Sequence, residues 1–202
     1  MSLVLSDTLS GFALGLSLIL AIGGQNAFVL RCGLRQSHIF IVCLVCAMSD
    51  AILITVGILG FGSILKAMPS LVEAFRYGGA AFLLFYGARS AQSAWRGGGS
   101  LLANGQADSL ISVVGISLAL TWLNPHVYLD TVILLGSIAS QSESRIGFGV
   151  GATSASFFFF FSLGYGARFL APFFKRPQAW RVLDILIATV MWAIAFSLLI
   201  SK

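Results

Sequence analysis

Charge is scarce in this sequence. Seven Asp+Glu and twelve Lys+Arg make up 9% of 202 residues, where a soluble domain carries about a quarter. So few ionised side chains cannot clothe a water-exposed particle, and a hydrophobic share of 58% with mean hydropathy +0.96 excludes a soluble globular fold. Cysteine is limited to Cys32, Cys43 and Cys46; an odd number, two of them in an apolar run, makes no disulfide framework. They read as small packing residues. Histidine numbers two, and no second cysteine pair accompanies Cys43 and Cys46, so no metal site is expected. The one-turn spacing of those thiols above Asp50 is all that speaks for a soft-metal path. No Gly-x4-Gly-Lys-Ser/Thr loop is present, which excludes ATP-driven pumping by this chain. The net charge of +5 is not gathered into a basic patch, so nucleic acid is not an expected partner, and no motif implies a cofactor.

What the sequence does have is long uncharged stretches. Residues 8–30, 109–129 and 146–167 contain no Asp, Glu, Lys or Arg, and each reaches the roughly 20 residues a helix needs to cross hydrocarbon. The apolar residues run continuously instead of alternating, which favours helices over barrel strands. Six membrane helices are predicted, over 7–30, 38–62, 70–92, 110–139, 146–167 and 178–200. The start, MSLVLSDTLSGF, carries Asp7 and no basic residue before its apolar run, unlike a cleaved signal peptide, so the first segment is expected to stay in the mature protein. The chain reads as one all-α integral membrane domain, 1–202, with the lipid bilayer as its solvent.

Its longest polar connection, Gln92 to Asp108, contains Arg96-Gly97-Gly98-Gly99-Ser100 and Asn104-Gly105, a flexible composition. That loop separates two half-repeats, 1–95 and 108–202, of three helices each. An odd helix count per half inverts the second half in the membrane, so a 3+3 repeat would be an inverted one, as in many secondary transporters. The first helix of each half carries a break. Gly23-Gly24-Gln25-Asn26-Ala27-Phe28-Val29 interrupts the first, and Trp122-Leu123-Asn124-Pro125-His126-Val127 the fourth, so that Asn-x-x-Val recurs. Paired glycines have poor helix propensity; Pro125 lacks an N–H and disfavours helix at Asn124. Backbone groups freed there need protein partners or a wet cavity. They are either ordinary kinks or the two parts of a binding site.

Asp50 lies mid-segment between apolar turns, where a carboxylate costs several kcal/mol unless paired or hydrated. Helical spacing groups it with Cys43, Ala47, Ile54 and Gly57, a stripe of mostly small residues that turns it toward the bundle. It serves a substrate or a proton, or it pairs structurally with Arg76. Asp130 follows His126 by four residues on one helical face, so the two can handle a proton together or simply brace the break. Asp184, three residues after Arg181, reads as a local ion pair or a snorkelling side chain, and Glu73 with Arg76 repeats that pattern. The run Phe157 to Phe161 covers every helix face and signals lipid contact or packing. Gly11-xxx-Gly15 and Gly147-xxx-Gly151 suit close helix packing, within one chain or in a homo-oligomer. Two intramembrane aspartates also occur in aspartyl proteases, but Met48-Ser49-Asp50-Ala51 and Tyr128-Leu129-Asp130 lack the Gly-x-Gly-Asp and Tyr-Asp contexts of those enzymes, so catalysis is not expected.

With these residues in view, the chain resembles the LysE/ArgO basic amino acid exporters. The resemblance rests on Gly24-Gln25-Asn26-Ala27-Phe28-Val29-Leu30-Arg31, on Ser49-Asp50-Ala51 with Gly57 and Gly60, and above all on Thr121-Trp122-Leu123-Asn124-Pro125-His126-Val127-Tyr128-Leu129-Asp130-Thr131. It extends over essentially the whole length. The family pattern usually has Pro where Gly24 stands and Gln where Cys32 stands. What the resemblance implies is export of L-arginine or L-lysine across a bacterial inner membrane, driven by membrane potential or proton gradient. Asp50 and Asp130 would then meet the cationic groups, and the proton coupling would pass through Asp50, Asp130 and His126. Gly23, Gly24, Gln25, Asn26, Asn124 and Pro125 would offer side-chain and freed backbone partners to the amino acid. The alternatives are a carrier of neutral amino acids such as threonine or homoserine, a cation or metal carrier, and a passive channel.

Orientation follows from the basic residues. The loops after the odd segments hold Arg31, Arg35, Arg89, Arg96, Arg168, Lys175, Arg176 and Arg181, against Lys66, Arg76, Arg145 and Lys202 on the other side. The richer side belongs in the cytoplasm, which places both termini outside if all six segments span. Single cysteines at Ser2, Ser100 and Ser201, in a chain lacking Cys32, Cys43 and Cys46, should show this with an impermeant maleimide on intact cells. Ser2 and Ser201 should label and Ser100 should be protected; labelling at Ser100 reverses the orientation, and protection at Ser2 alone makes the first segment re-entrant.

Overall fold

A computed structural model of the chain describes residues 2–20, 23–60, 69–96 and 109–200. Among these residues the regular structure is entirely helical. The helices are α1 (Ser2–Ile19), α2 (Gly24–Arg35), α3 (Ile39–Ile58), α4 (Pro69–Trp95), α5 (Leu110–Trp122), α6 (Pro125–Ala139), α7 (Arg145–Gly166) and α8 (Pro177–Ile200). The predicted segments correspond to them closely, with α1 and α2 together, and α5 and α6 together, answering to the two segments expected to be broken. Most of the central polar loop, 97–108, lies outside the described residues.

Three helical stretches are each long and apolar enough to cross a bilayer: α3, with mean hydropathy 2.6; Arg145–Phe169, comprising α7 and its short 3-10 extension, at 1.6; and α8 at 2.3. The two bent pairs meet the same length and composition when each is taken as one span, turning by 83° between α1 and α2 and by 58° between α5 and α6. Helix α4 has 27 residues, about 40 Å at 1.5 Å per residue, but its Glu73, Arg76 and Arg89 dilute its apolar character. Large apolar side chains stand exposed around the bundle, among them Leu5, Leu9, Phe85, Ile111, Ile146, Phe158, Val182 and Phe196. A surface of this kind is stable only against hydrocarbon. The chain is a multi-pass membrane protein.

Helix ends are set by local chemistry. Ser109 caps α5 by accepting from the Ser112 N–H at 3.2 Å, and Ser144 caps α7 by accepting from the Gly147 N–H at 3.1 Å. Pro125 and Pro177 occupy first turns, where the missing N–H is no loss. The turn between α2 and α3 is tight: Gln36 and His38 adopt left-handed φ of 55° and 51°, and the Gln36 amide nitrogen donates to the Gly33 carbonyl at 2.7 Å. Asp7 bridges α1 to α7 by accepting from the Ser144 N–H at 2.7 Å.

Packing joins α1 to α7, α3 to α7, and α4 to α8, with α3 also resting on α5 and α6. Both small-residue motifs serve this packing inside the chain. A Cβ at Gly11 would collide with the Phe148 backbone and one at Gly15 would press on Ala152, while a Cβ at Gly151 would collide with the Thr8 carbonyl and the Phe12 N–H. The motifs therefore face each other across α1 and α7. Gly57 and Gly136 play the same part between α3 and α6. The phenylalanine run divides as helical geometry requires, Phe160 buried at 1% and Phe158 exposed at 58%.

Gly151→Leu should force α1 off α7 and lower stability by about 1–3 kcal/mol, the usual cost of overpacking. Thermal unfolding in detergent should show it, with Gly115→Leu as the control, because nothing lies within 4 Å of a Cβ there. Equal unfolding temperatures for the two variants would disprove the close approach of α1 and α7.

Candidate functional site

The two breaks converge. A cavity of about 310 Å³ is walled by Gly23, Gly24, Gln25 and Asn26 from the first break, by Asn124, His126 and Asp130 from the second, and by Asp50 from α3. Eight of the nine sequence-predicted site residues thus line one space. The ninth, Pro125, is buried as the first residue of α6 and shapes the break without facing the cavity. Thr131, Phe160 and Ile194 also face it and were not among the residues the sequence pointed to as a site. Among the described residues neither lysine nor arginine lines it, and two carboxylates and one imidazole are the ionisable groups on its walls.

The breaks handle their freed backbone groups differently. At the second, Asn124 adopts an extended conformation (φ −96°, ψ 106°), and its side-chain oxygen accepts from the His126 N–H at 3.1 Å. The Trp122 carbonyl released at the end of α5 accepts from the Tyr128 hydroxyl at 2.7 Å. At the first, the Asn26 amide donates to the Ile19 carbonyl at 2.7 Å, closing the end of α1. At the start of α2, Gly23 is extended (φ −110°, ψ 170°) and supplies no side-chain cap. The N–H groups of a first helical turn have no intrahelical acceptor, and the helix dipole adds partial positive charge there. Beside them the Gln25 amide nitrogen is buried without a hydrogen-bond partner, with the Cys46 thiol as a polar neighbour. This end of the cavity offers donors to an anionic group.

Opposite charge is supplied from the other walls. Asp50 is 4% exposed, and its Oδ2 accepts from the Ser156 hydroxyl of α7 at 2.8 Å. Its neighbours Cys43, Ala47, Ile54 and Gly57 are buried with it, as the small-residue stripe predicts. Next to it, the Trp122 indole donates to the Ser49 hydroxyl at 3.1 Å, which locks α5 to α3. Asp130 is half-buried in a π-helical segment, Tyr128–Leu134, within coulombic reach of His126. A π-helical turn widens the helix and re-aims its side chains, a device frequent at functional sites.

Several expectations are corrected. Arg76 does not pair with Asp50; its guanidinium donates to the Leu198 and Leu199 carbonyls at the end of α8, using the acceptors a helix C-terminus leaves free. Nor does it pair with the exposed Glu73. Asp184 does not pair with Arg181. It is 1% exposed, accepts from the Ser93 hydroxyl at 2.7 Å and faces the Arg31 guanidinium at 3.5 Å. Sequence spacing favoured the local partner because contacts between α2, α4 and α8 are invisible to it.

A bundle of apolar helices exposed to lipid, with two helices broken around a cavity that holds two carboxylates, is the architecture of a membrane translocator. The comparisons agree: residues 16–202 match the LysE type translocator profile, and the chain belongs to that family. It is 44% identical to the arginine exporter protein ArgO of Yersinia enterocolitica, covering 96% of this chain and 97% of that one. It is 41% identical to the arginine exporter protein ArgO of Salmonella paratyphi A (96% and 94%), and 43% identical to a putative amino-acid transporter of Mycobacterium tuberculosis (93% and 94%). No solved structure matches the chain.

Ser156, missed by sequence reading, should matter for translocation because it holds the carboxylate at the cavity wall. Ser156→Ala removes a hydrogen bond to a charged group, about 1.5–3 kcal/mol, and should reduce transport about tenfold or more in correctly inserted protein. Ser154→Ala, an exposed position on the same helix, should leave it unchanged; equal transport by both variants would show that the Asp50 contact is dispensable.

Proposed function

We propose that the chain exports a basic amino acid, L-arginine or L-lysine, from the cytoplasm across the bacterial inner membrane in exchange for protons. The observation that carries this reading is the placement of charge in the cavity: two carboxylates, Asp50 and Asp130, stand against a helix start without a side-chain cap and the buried Gln25 amide. A basic amino acid has a cationic side chain, an α-ammonium and one carboxylate. The carboxylates would take the cationic groups, and the α2 terminus would take the carboxylate, with Asn26 and Asn124 holding both breaks open. At about 310 Å³ the cavity falls at the small end of ligand pockets. The arginine-exporter relatives support the same substrate class.

Coupling follows from electrostatics. A cation leaving a negative interior moves uphill by about 2.3 kcal/mol per charge per 100 mV, and an inward proton offsets that charge movement. Asp50, Asp130 and His126 would alternate between proton and substrate as the cavity opens to each side.

The architecture that fits alternating access is a single domain of six spans, formed from half-repeats 1–95 and 108–202 inverted about an axis in the membrane plane. Helix pairing supports it. Exchanging the halves turns the α1–α7 contact into α5–α3 and the α2–α7 contact into α6–α3, while α3–α7 and α4–α8 map onto themselves, and all of these contacts occur. The small-residue motifs are occupied inside the chain, so any homo-oligomer would use other faces.

Asp50→Asn removes the charge at nearly constant shape, so the protein should insert while efflux of labelled arginine falls at least about tenfold. Proteoliposome counterflow with arginine, lysine and threonine gives the substrate class. Wild-type efflux by inserted Asp50→Asn protein, or counterflow with threonine alone, would refute export of a cationic substrate through this carboxylate.

A further inference from the structure

A second polar cavity, of about 190 Å³, lies at the opposite end of α2, bounded by that helix, the last turns of α4 and the start of α5. Its charge is the reverse of the first. Arg31 and Arg35 from α2 and Arg89 and Arg96 from α4 line it, and among the described residues no Asp or Glu does. The carboxylate behind this wall, Asp184, faces Arg31 at 3.5 Å, while Arg89 and Arg96 stand exposed at the rim. Among the serines that line the cavity, Ser90 is 2% exposed and its hydroxyl has no hydrogen-bond partner. A buried hydroxyl is costly to leave unpaired, and here it stands in the wall of a cationic cavity.

We propose that this cavity is a binding site for a phosphate group. Guanidinium forks bind tetrahedral oxyanions through paired charge-assisted hydrogen bonds, and a serine hydroxyl supplies a further donor. The volume is below that of pockets for whole drug-sized ligands, so the occupant is a small anionic group. Basic pockets between membrane helices take anionic lipid headgroups in this way. The phosphate arrives on an anionic phospholipid or as inorganic phosphate. The site is separate from the acidic cavity and does not rest on the substrate proposed for it.

The test uses full-length protein in detergent, with thermal unfolding measured against phosphatidylglycerol, phosphatidylcholine and inorganic phosphate. Phosphatidylglycerol should raise the unfolding temperature and zwitterionic phosphatidylcholine should not. Arg89→Ala combined with Arg96→Ala removes two exposed guanidinia while keeping the Arg31–Asp184 pair, and should weaken the apparent affinity about thirtyfold. Ser90→Ala should weaken it about threefold to tenfold through one lost hydrogen bond. Stabilisation by inorganic phosphate equal to that by the lipid, and lost in the same variants, identifies the free ion; stabilisation by the lipid alone identifies the headgroup. Equal responses of wild-type and variant proteins to phosphatidylglycerol, with none to phosphate, would overturn the site. So would displacement of the lipid by arginine but not by phosphate, which would assign the cavity to the amino acid's path.

Discussion

Backbone hydrogen bonding inside hydrocarbon is the constraint on which this molecule's other features depend. A helix that stops within the bilayer leaves carbonyls at one end and N–H groups at the other, and lipid can satisfy neither. Here three of the four interrupted ends are closed by named side chains: Asn26 on the Ile19 carbonyl, Tyr128 on the Trp122 carbonyl, and Asn124 on the His126 N–H. The start of α2 has no such cap. The cavity lies where that helix start meets Asp50 and Asp130, so a helix end without a side-chain cap and buried charge are concentrated in one place.

Around that place the bundle is held by close backbone approach. Glycines let α1 reach α7 and α3 reach α6, where a single added methyl group would strike a carbonyl. Dispersion and interhelical hydrogen bonds are the forces available, since lipid tails are as apolar as the side chains. The Asp50–Ser156 contact is buried, and the low local dielectric makes that hydrogen bond stronger and its loss more costly. Of the phenylalanines of α7, Phe160 is buried and joins the cavity wall directly.

The two polar cavities occupy opposite ends of α2, and their charges complement its dipole. The acidic cavity faces the partly positive N-terminus, where donors for a substrate carboxylate also lie. Arg35 stands in the last turn, at the partly negative C-terminus, an arrangement favourable by a few tenths of a kcal/mol to about 1 kcal/mol. One short helix thereby separates a centre suited to cations from one suited to anions.

Much of this was legible in the sequence by itself. Scarcity of charge and the length of the uncharged stretches determined a multi-pass helical membrane protein, because hydrocarbon admits few alternatives. Gly23-Gly24 and Asn124-Pro125 determined the breaks, since helix propensity and the missing proline N–H act locally. Asp50, between apolar turns, had to face protein. Tertiary structure alone decided which partners these residues found. Arg76 turned to the end of α8 instead of to Asp50, Asp184 chose Arg31 and Ser93 over Arg181, and Ser156 reached Asp50 from 106 positions away. Periodicity tells which face of a helix a residue occupies, but the neighbour on that face is set by how helices dock, and docking depends on glycines whose contacts are distant in the chain.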